Sequence, residues 1–101
     1  MSYSKRDWEK TVRRLAAKTE DVLFSKPALS QMKARKITMI MALDVLRKGV
    51  INREPEPDIK TGHTKCTMER YTAGMSIAVV AACESESAVQ CIVVTSFVIG
   101  G

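Results

Sequence analysis

Apolar residues recur every three or four positions through the first half of the chain, then give way to alternation and continuous runs in the second half. Trp8, Val12, Leu15, Thr19 and Val22 follow at spacings of four, three, four and three. That spacing keeps them on one face and predicts a helix over residues 5–23. Ser4 is placed to cap it, with Asp7 three residues later near the positive end of the helix dipole. Ser25 and Pro27 mark a second start, because serine caps well and proline is tolerated in a first turn, where its missing N–H has no partner. The helix predicted there covers 27–35, with Ala28, Leu29 and Met32 inward. Thr38 caps a third predicted helix, 39–48, whose buried stripe is Met39, Ala42, Leu43 and Leu46, with Met41 and Val45 partly outside. Arg47 and Lys48 suit its negative end, and Gly49 its stop.

After Gly49 the period changes. Residues 50–53 read as a short strand, closed by Glu54-Pro55-Glu56-Pro57-Asp58, where two prolines argue against regular pairing. Thr61-Gly62-His63 marks a turn. Residues 65–72 alternate, with Cys66, Met68 and Arg70 on one side and Lys65, Thr67, Glu69 and Tyr71 on the other. Ala73-Gly74 is a hairpin signal leading into the apolar strand 75–83. Glu84-Ser85-Glu86-Ser87 is a polar turn, and the β-branched run 88–99 reads as a central strand. Strands joined by short turns pair antiparallel. The predicted fold is therefore one α+β domain over residues 1–101: about three N-terminal helices packed on a C-terminal antiparallel sheet of about four strands.

Composition narrows the class. A chain of 101 residues, 46% hydrophobic and 27% charged, can bury one core but not two. No apolar run reaches the length of a membrane span, and the first residues do not read as a signal peptide. A cytoplasmic chain with no membrane partner is expected. Cys66, Cys83 and Cys91 are odd in number and widely spaced, which argues against a disulfide framework or a zinc site. Buried free thiols, with no metal or cofactor, are expected instead. The net charge of +5 is uneven: residues 1–48 hold twelve Lys and Arg against five acids, and residues 49–101 hold four against six. That asymmetry points to RNA or an acidic protein surface facing the helices. Lys10, Arg13, Arg14 and Lys18 would supply such a surface, or simply a solvated helix face.

The stretch Phe24-Ser25-Lys26-Pro27-Ala28-Leu29-Ser30-Gln31-Met32-Lys33-Ala34-Arg35 resembles the opening motif of an uncharacterised bacterial domain family related to the RelE and BrnT toxins, often carried on mobile elements. Leu43-Asp44-Val45-Leu46-Arg47-Lys48-Gly49 continues the likeness, as do Cys66-Thr67-Met68-Glu69-Arg70-Tyr71, Gly74 and Ile92-Val93-Val94-Thr95. The resemblance implies a RelE-like fold and an ancestry in metal-independent RNA cleavage, chemistry that needs a base, an acid and cations on the phosphate. Pro27 stands where the family has histidine, and Gln31 and Thr67 stand where it has arginines. Proline cannot move a proton, and Gln and Thr carry no charge.

Two functions follow as expectations. The first is a RelE/BrnT-like domain with an eroded catalytic set that binds RNA or a protein partner: an inhibitor of a bacterial nucleoprotein complex, or a silenced toxin. The second is a ribonuclease toxin, paired with an antitoxin, that works with His63 and Glu69 as proton-transfer groups beside Arg35 and Arg70. For binding, the candidates are Lys33, Arg35, Lys65, Arg70 and Tyr71, with Arg13 and Arg14. Arginine takes phosphate bidentately and tyrosine stacks on a base, whereas the ordinary roles of these residues are cross-strand ion pairing and solvation. A scaffolding homodimer is a third alternative.

Overall fold

The structure, a computed structural model, describes residues 4–99. Its elements in chain order are α1 (Lys5–Ala16), a 3-10 turn (Thr19–Asp21), β1 (Val22–Phe24), α2 (Lys26–Ala34), α3 (Met39–Lys48), β2 (Val50–Ile51), β3 (Glu56–Pro57), β4 (Thr64–Thr72), β5 (Met75–Cys83) and β6 (Cys91–Val98). The chain is α+β, with three α-helices and a six-stranded mixed sheet ordered β1-β6-β5-β4-β2, in which β3 also pairs with β4.

The helix starts follow their caps. Ser4 Oγ accepts from the Asp7 N–H at 3.2 Å while the Asp7 carboxylate accepts from the Ser4 N–H at 3.0 Å, a closed capping box. Ser25 and Thr38 cap α2 and α3 through their hydroxyls, which accept at 3.1 Å from the N–H of Ala28 and of Met41. The end of α2 is a Schellman turn. Lys36 sits at φ 59°, and the Ile37 N–H reaches back to the Met32 carbonyl at 2.8 Å. This buries Ile37 against Met32. Gly49 closes α3 with an ordinary φ of −75°. Glycine is required there by closeness, because a Cβ would lie 2.4 Å from the Val45 carbonyl oxygen and 2.8 Å from that of Glu69.

All the large buried side chains converge between α1, α3 and one face of the sheet. Trp8, Val12 and Leu15 from α1 and Ala42, Leu43, Val45 and Leu46 from α3 meet Cys66 and Met68 of β4, Ile77, Val79, Ala81 and Cys83 of β5, and Cys91 and Val93 of β6. Helix α2 packs chiefly on β6. It covers the stretch of that strand beyond its pairing with β1, which ends at Val93. Arg35 donates to the Ser96 carbonyl there at 2.6 Å, satisfying an edge group that would otherwise lack a partner. The other face of the sheet carries no helix.

The structure corrects several expectations. The sheet has six strands rather than four, and it is mixed, because β1 runs parallel to β6 with Val22 opposite Cys91. The predicted helix over 5–23 ends at Ala16. Val22 is buried as expected, but from a strand, because pairing with β6 satisfies its backbone and its hydrophobicity together. Arg47 donates to the Ala16 carbonyl at 2.6 Å and closes α1 at that point. The prolines do not prevent pairing: Glu56 and Pro57 lie opposite Lys65 and Thr64, at an edge where a missing N–H costs nothing. Strand 50–53 shortens to two residues, and strand 88–99 begins at Cys91. Val45 is fully buried, whereas Met39 is exposed. Capping at Thr38 turns the first residue of α3 outward.

Candidate binding face on the open side of the sheet

Residues directly opposite one another on paired strands share a face. Thr67 lies opposite Val80, and Val80 opposite Thr95, so a single row runs across three strands on the open side. Gln31 of α2 extends that row, since the Thr95 hydroxyl donates to its Oε1. Between Val80/Ala81 the β6 register slips by one residue, leaving Val94 as a bulge. A bulge bends its strand and re-aims neighbouring side chains. Here it shapes a groove of about 220 Å³ lined by Arg53, Glu56, Lys65, Thr67, Val80, Val94, Thr95 and Phe97, with Glu54 at its rim.

The groove has two cations against two acids, and Arg53 and Glu54 are ion-paired within the chain. The Arg53 guanidinium lies 5.7 Å from the centroid of Phe97 and 3.8 Å from the Glu69 carboxylate, which also accepts from Asn52 Nδ2 at 3.2 Å. Glu54 is 3.6 Å from Lys5. Lys65 faces Glu56 across the β3–β4 pair. The groove therefore offers an aromatic and aliphatic floor with hydroxyls, and little unbalanced charge.

The arginines named from sequence are engaged in the fold. Arg13 donates to the Gly49 carbonyl at 2.6 Å and ties α1 to the end of α3. Arg14 holds the carbonyls of Glu86 and Ala88 at 3.1 and 3.0 Å. Arg35 holds Ser96, as above. Arg70 turns to the helix side, where its Nε is 2.9 Å from Asp44. The Asp44 carboxyl titrates below its ordinary value because the Thr72 hydroxyl donates to it and Arg70 lies beside it, against a desolvation cost. Glu69 and Arg70, adjacent on one strand, thus point to opposite faces, each with its own partner. Tyr71 is exposed on the open face and lines a second hollow with Val50, Asn52, Glu69, Arg70, Ser76 and Ile99, which brings three of the residues named from sequence to its border. Lys33 is exposed on α2.

The candidate catalytic residues are not brought together. His63 precedes β4 and lines a small hollow with Ala82, Glu84, Val89, Gln90 and Ile92. Glu69 lies six residues along the strand, about 20 Å away at the rise of an extended chain. Arg70 is on the opposite face, and Arg35 is at β6, two strands across. Helix α2 meets β6 rather than the Cys66–Tyr71 strand. Of the binding candidates named from sequence, Lys65 lines the groove, beside Thr67; Arg53, Thr95 and Phe97 were not among those candidates. Thr95 and Phe97 share the parity of Cys91 and Val93, so simple alternation assigns them to the buried face, and only the bulge at Val94 moves them to the open one.

Among the described residues no group of three or more His, Cys, Asp and Glu could hold a metal ion, and no helix is long and apolar enough to cross a membrane. Residues 24–98 match the model of a family described as Domain of unknown function (DUF4258). No curated protein and no solved structure matches the chain.

Proposed function

For a chain that belongs to the DUF4258 family, we propose a non-enzymatic role on a RelE/BrnT-like scaffold: binding a protein partner through the open face of the sheet, centred on the Phe97 groove. The observation that carries this reading is the charge state of the groove. Arg53, Glu54 and Glu69 have partners within the chain, and Lys65 faces Glu56. A phosphate backbone needs unmatched cations, whereas a partner's apolar anchor flanked by polar groups fits an aromatic floor with a balanced rim. Gln31 and Thr67, which stand where the related toxins have arginines, fall at either end of the row that crosses the groove. On this reading the ancestral catalytic face has become a docking face, as in an inhibitor of a bacterial complex or a silenced toxin.

An RNA ligand is favoured by one separate observation. Lys26, Lys33, Arg35 and Lys36 lie on or just after α2, and no acid occurs between Val22 and Leu43. Affinity capture of the tagged chain from its bacterial host, with and without ribonuclease, separates the two. A protein that stays bound after ribonuclease and is lost with Phe97→Ala supports the proposal. A partner lost with ribonuclease, or one indifferent to Phe97→Ala and Lys65→Glu, overturns it. The ribonuclease alternative predicts growth arrest on expression, relieved by His63→Ala.

A further inference from the structure

We infer that Cys83 and Cys91 form a latent disulfide, an oxidation site that a low-molecular-weight disulfide closes while Cys66 stays reduced. The two cysteines are direct partners in the last matched pair of the β5–β6 ladder. Opposed Cα atoms of an antiparallel pair lie about 4.5 or 5.5 Å apart, and both spacings fall within the roughly 4.4–6.8 Å a disulfide spans. Both side chains point to the helix side, where they are buried and free. Cys66 is on that side too, but opposite Ala81. It is a diagonal neighbour of Cys83, at about 7–8 Å between Cα atoms, and two strands from Cys91, at about 10 Å. The geometry thus admits one bridge of the three possible.

Burial sets the rate rather than the outcome. Cys91 holds its proton above the ordinary thiol range because it hydrogen-bonds to Cys83 and is buried. Burial pushes the Cys66 thiol up to about 12. A protonated, enclosed thiol is a poor nucleophile. The pair lies, however, where the ladder ends and the chain leaves into residues 84–90. That segment is held to α1 by Thr11, which donates to the Glu86 carbonyl at 3.1 Å, and by Arg14. Loosening those bonds exposes the pair by local opening. A thiolate of the pair then attacks glutathione disulfide and expels one glutathione thiolate. The second cysteine attacks the mixed disulfide and expels the other. The protein loses two electrons and two protons, which leave as two molecules of glutathione, and one S–S bond replaces another.

The test is to incubate the folded full-length chain with glutathione disulfide and follow its intact mass and non-reducing peptide map. The expected product has lost the mass of two hydrogen atoms, links Cys83 to Cys91, forms equally in Cys66→Ala, and melts several degrees higher than the reduced chain. Thr11→Ala, which removes the bond to the Glu86 carbonyl and leaves the charge of Arg14 beside Cys83 in place, should accelerate its formation several-fold. A bridge that includes Cys66, a stable glutathione adduct with no internal bridge, or no change in mass after days of exposure would overturn the inference.

Discussion

The two faces of the sheet are built from the same three long strands and are used in opposite ways. The helix side takes nearly every fully buried side chain, from Met68 and Val79 on the strands to Leu15 and Leu46 on the helices. The open side keeps Val80, Val94, Thr95 and Phe97 half-buried, with no helix over them. Of the arginines in the basic half, Arg13, Arg14, Arg35 and Arg47 donate to backbone carbonyls, and in the sheet half Arg70 donates to Asp44. Much of the basic excess therefore also serves the fold, closing helix ends and loops. The open face thus keeps an ordered groove that no helix fills.

The largest effect that tests this division comes from truncating one residue on each side. Leu46→Ala should destabilise by about 2–5 kcal/mol, since the pocket it leaves cannot fully collapse. Val80→Ala should cost only about 1 kcal/mol for its half-buried methyls. Equal losses in denaturant unfolding would mean that the open face is core. At the seam between the sides, Gly49→Ala should cost about 1–3 kcal/mol, because its Cβ has two carbonyl oxygens to displace; a neutral result would show that α3 can slide away from β4. Asp44→Asn is smaller, at most about 1 kcal/mol for a pair open to solvent. Because the folded carboxyl titrates below its unfolded value, its contribution is present above the ordinary carboxylate range and fades as pH falls through the folded value. The stabilities of wild type and Asp44→Asn should therefore converge in acid, and a gap that widens in acid would exclude the pairing. Smallest is Ala73→Asn, which should stabilise by under about 1 kcal/mol. Ala73 and Gly74 form the two-residue turn with φ 52° and 79°, a conformation asparagine adopts more readily than alanine. A loss on that substitution would argue against the turn.

What the sequence made legible was local. Ser4, Ser25 and Thr38 announced the helix starts because capping depends on three or four neighbouring residues, and Ala73-Gly74 announced its hairpin for the same reason. The alternation of Cys66, Met68 and Arg70 against Lys65, Thr67 and Glu69 sorted the faces of β4 correctly. What was not legible depended on distant partners. Val22 continues a helical spacing, yet its strand partner Cys91 lies at the other end of the chain. Pro57 looked unable to pair until the edge position was known. The binding face was hardest, since Thr95 and Phe97 change sides only through a bulge at Val94, and no local pattern distinguishes a bulged strand from a uniformly buried one. Arg53, read from sequence as the end of a strand, reaches Phe97 from the loop after β2.

The parallel pairing of β1 with β6 bears on the order in which the molecule is made. Val22 and Cys91 are 69 positions apart, and contacts of that reach carry a large loop-closure cost and slow folding. As the chain is synthesised, α1, α2 and α3 emerge with their caps complete, but the strand between α1 and α2 has nothing to pair with until β6 follows. Until then its apolar residues, and the arginine that will hold Ser96, stay exposed. Strand β6 thus closes both the sheet and the clasp between the two halves, and the newborn chain depends on it to become a single folded unit.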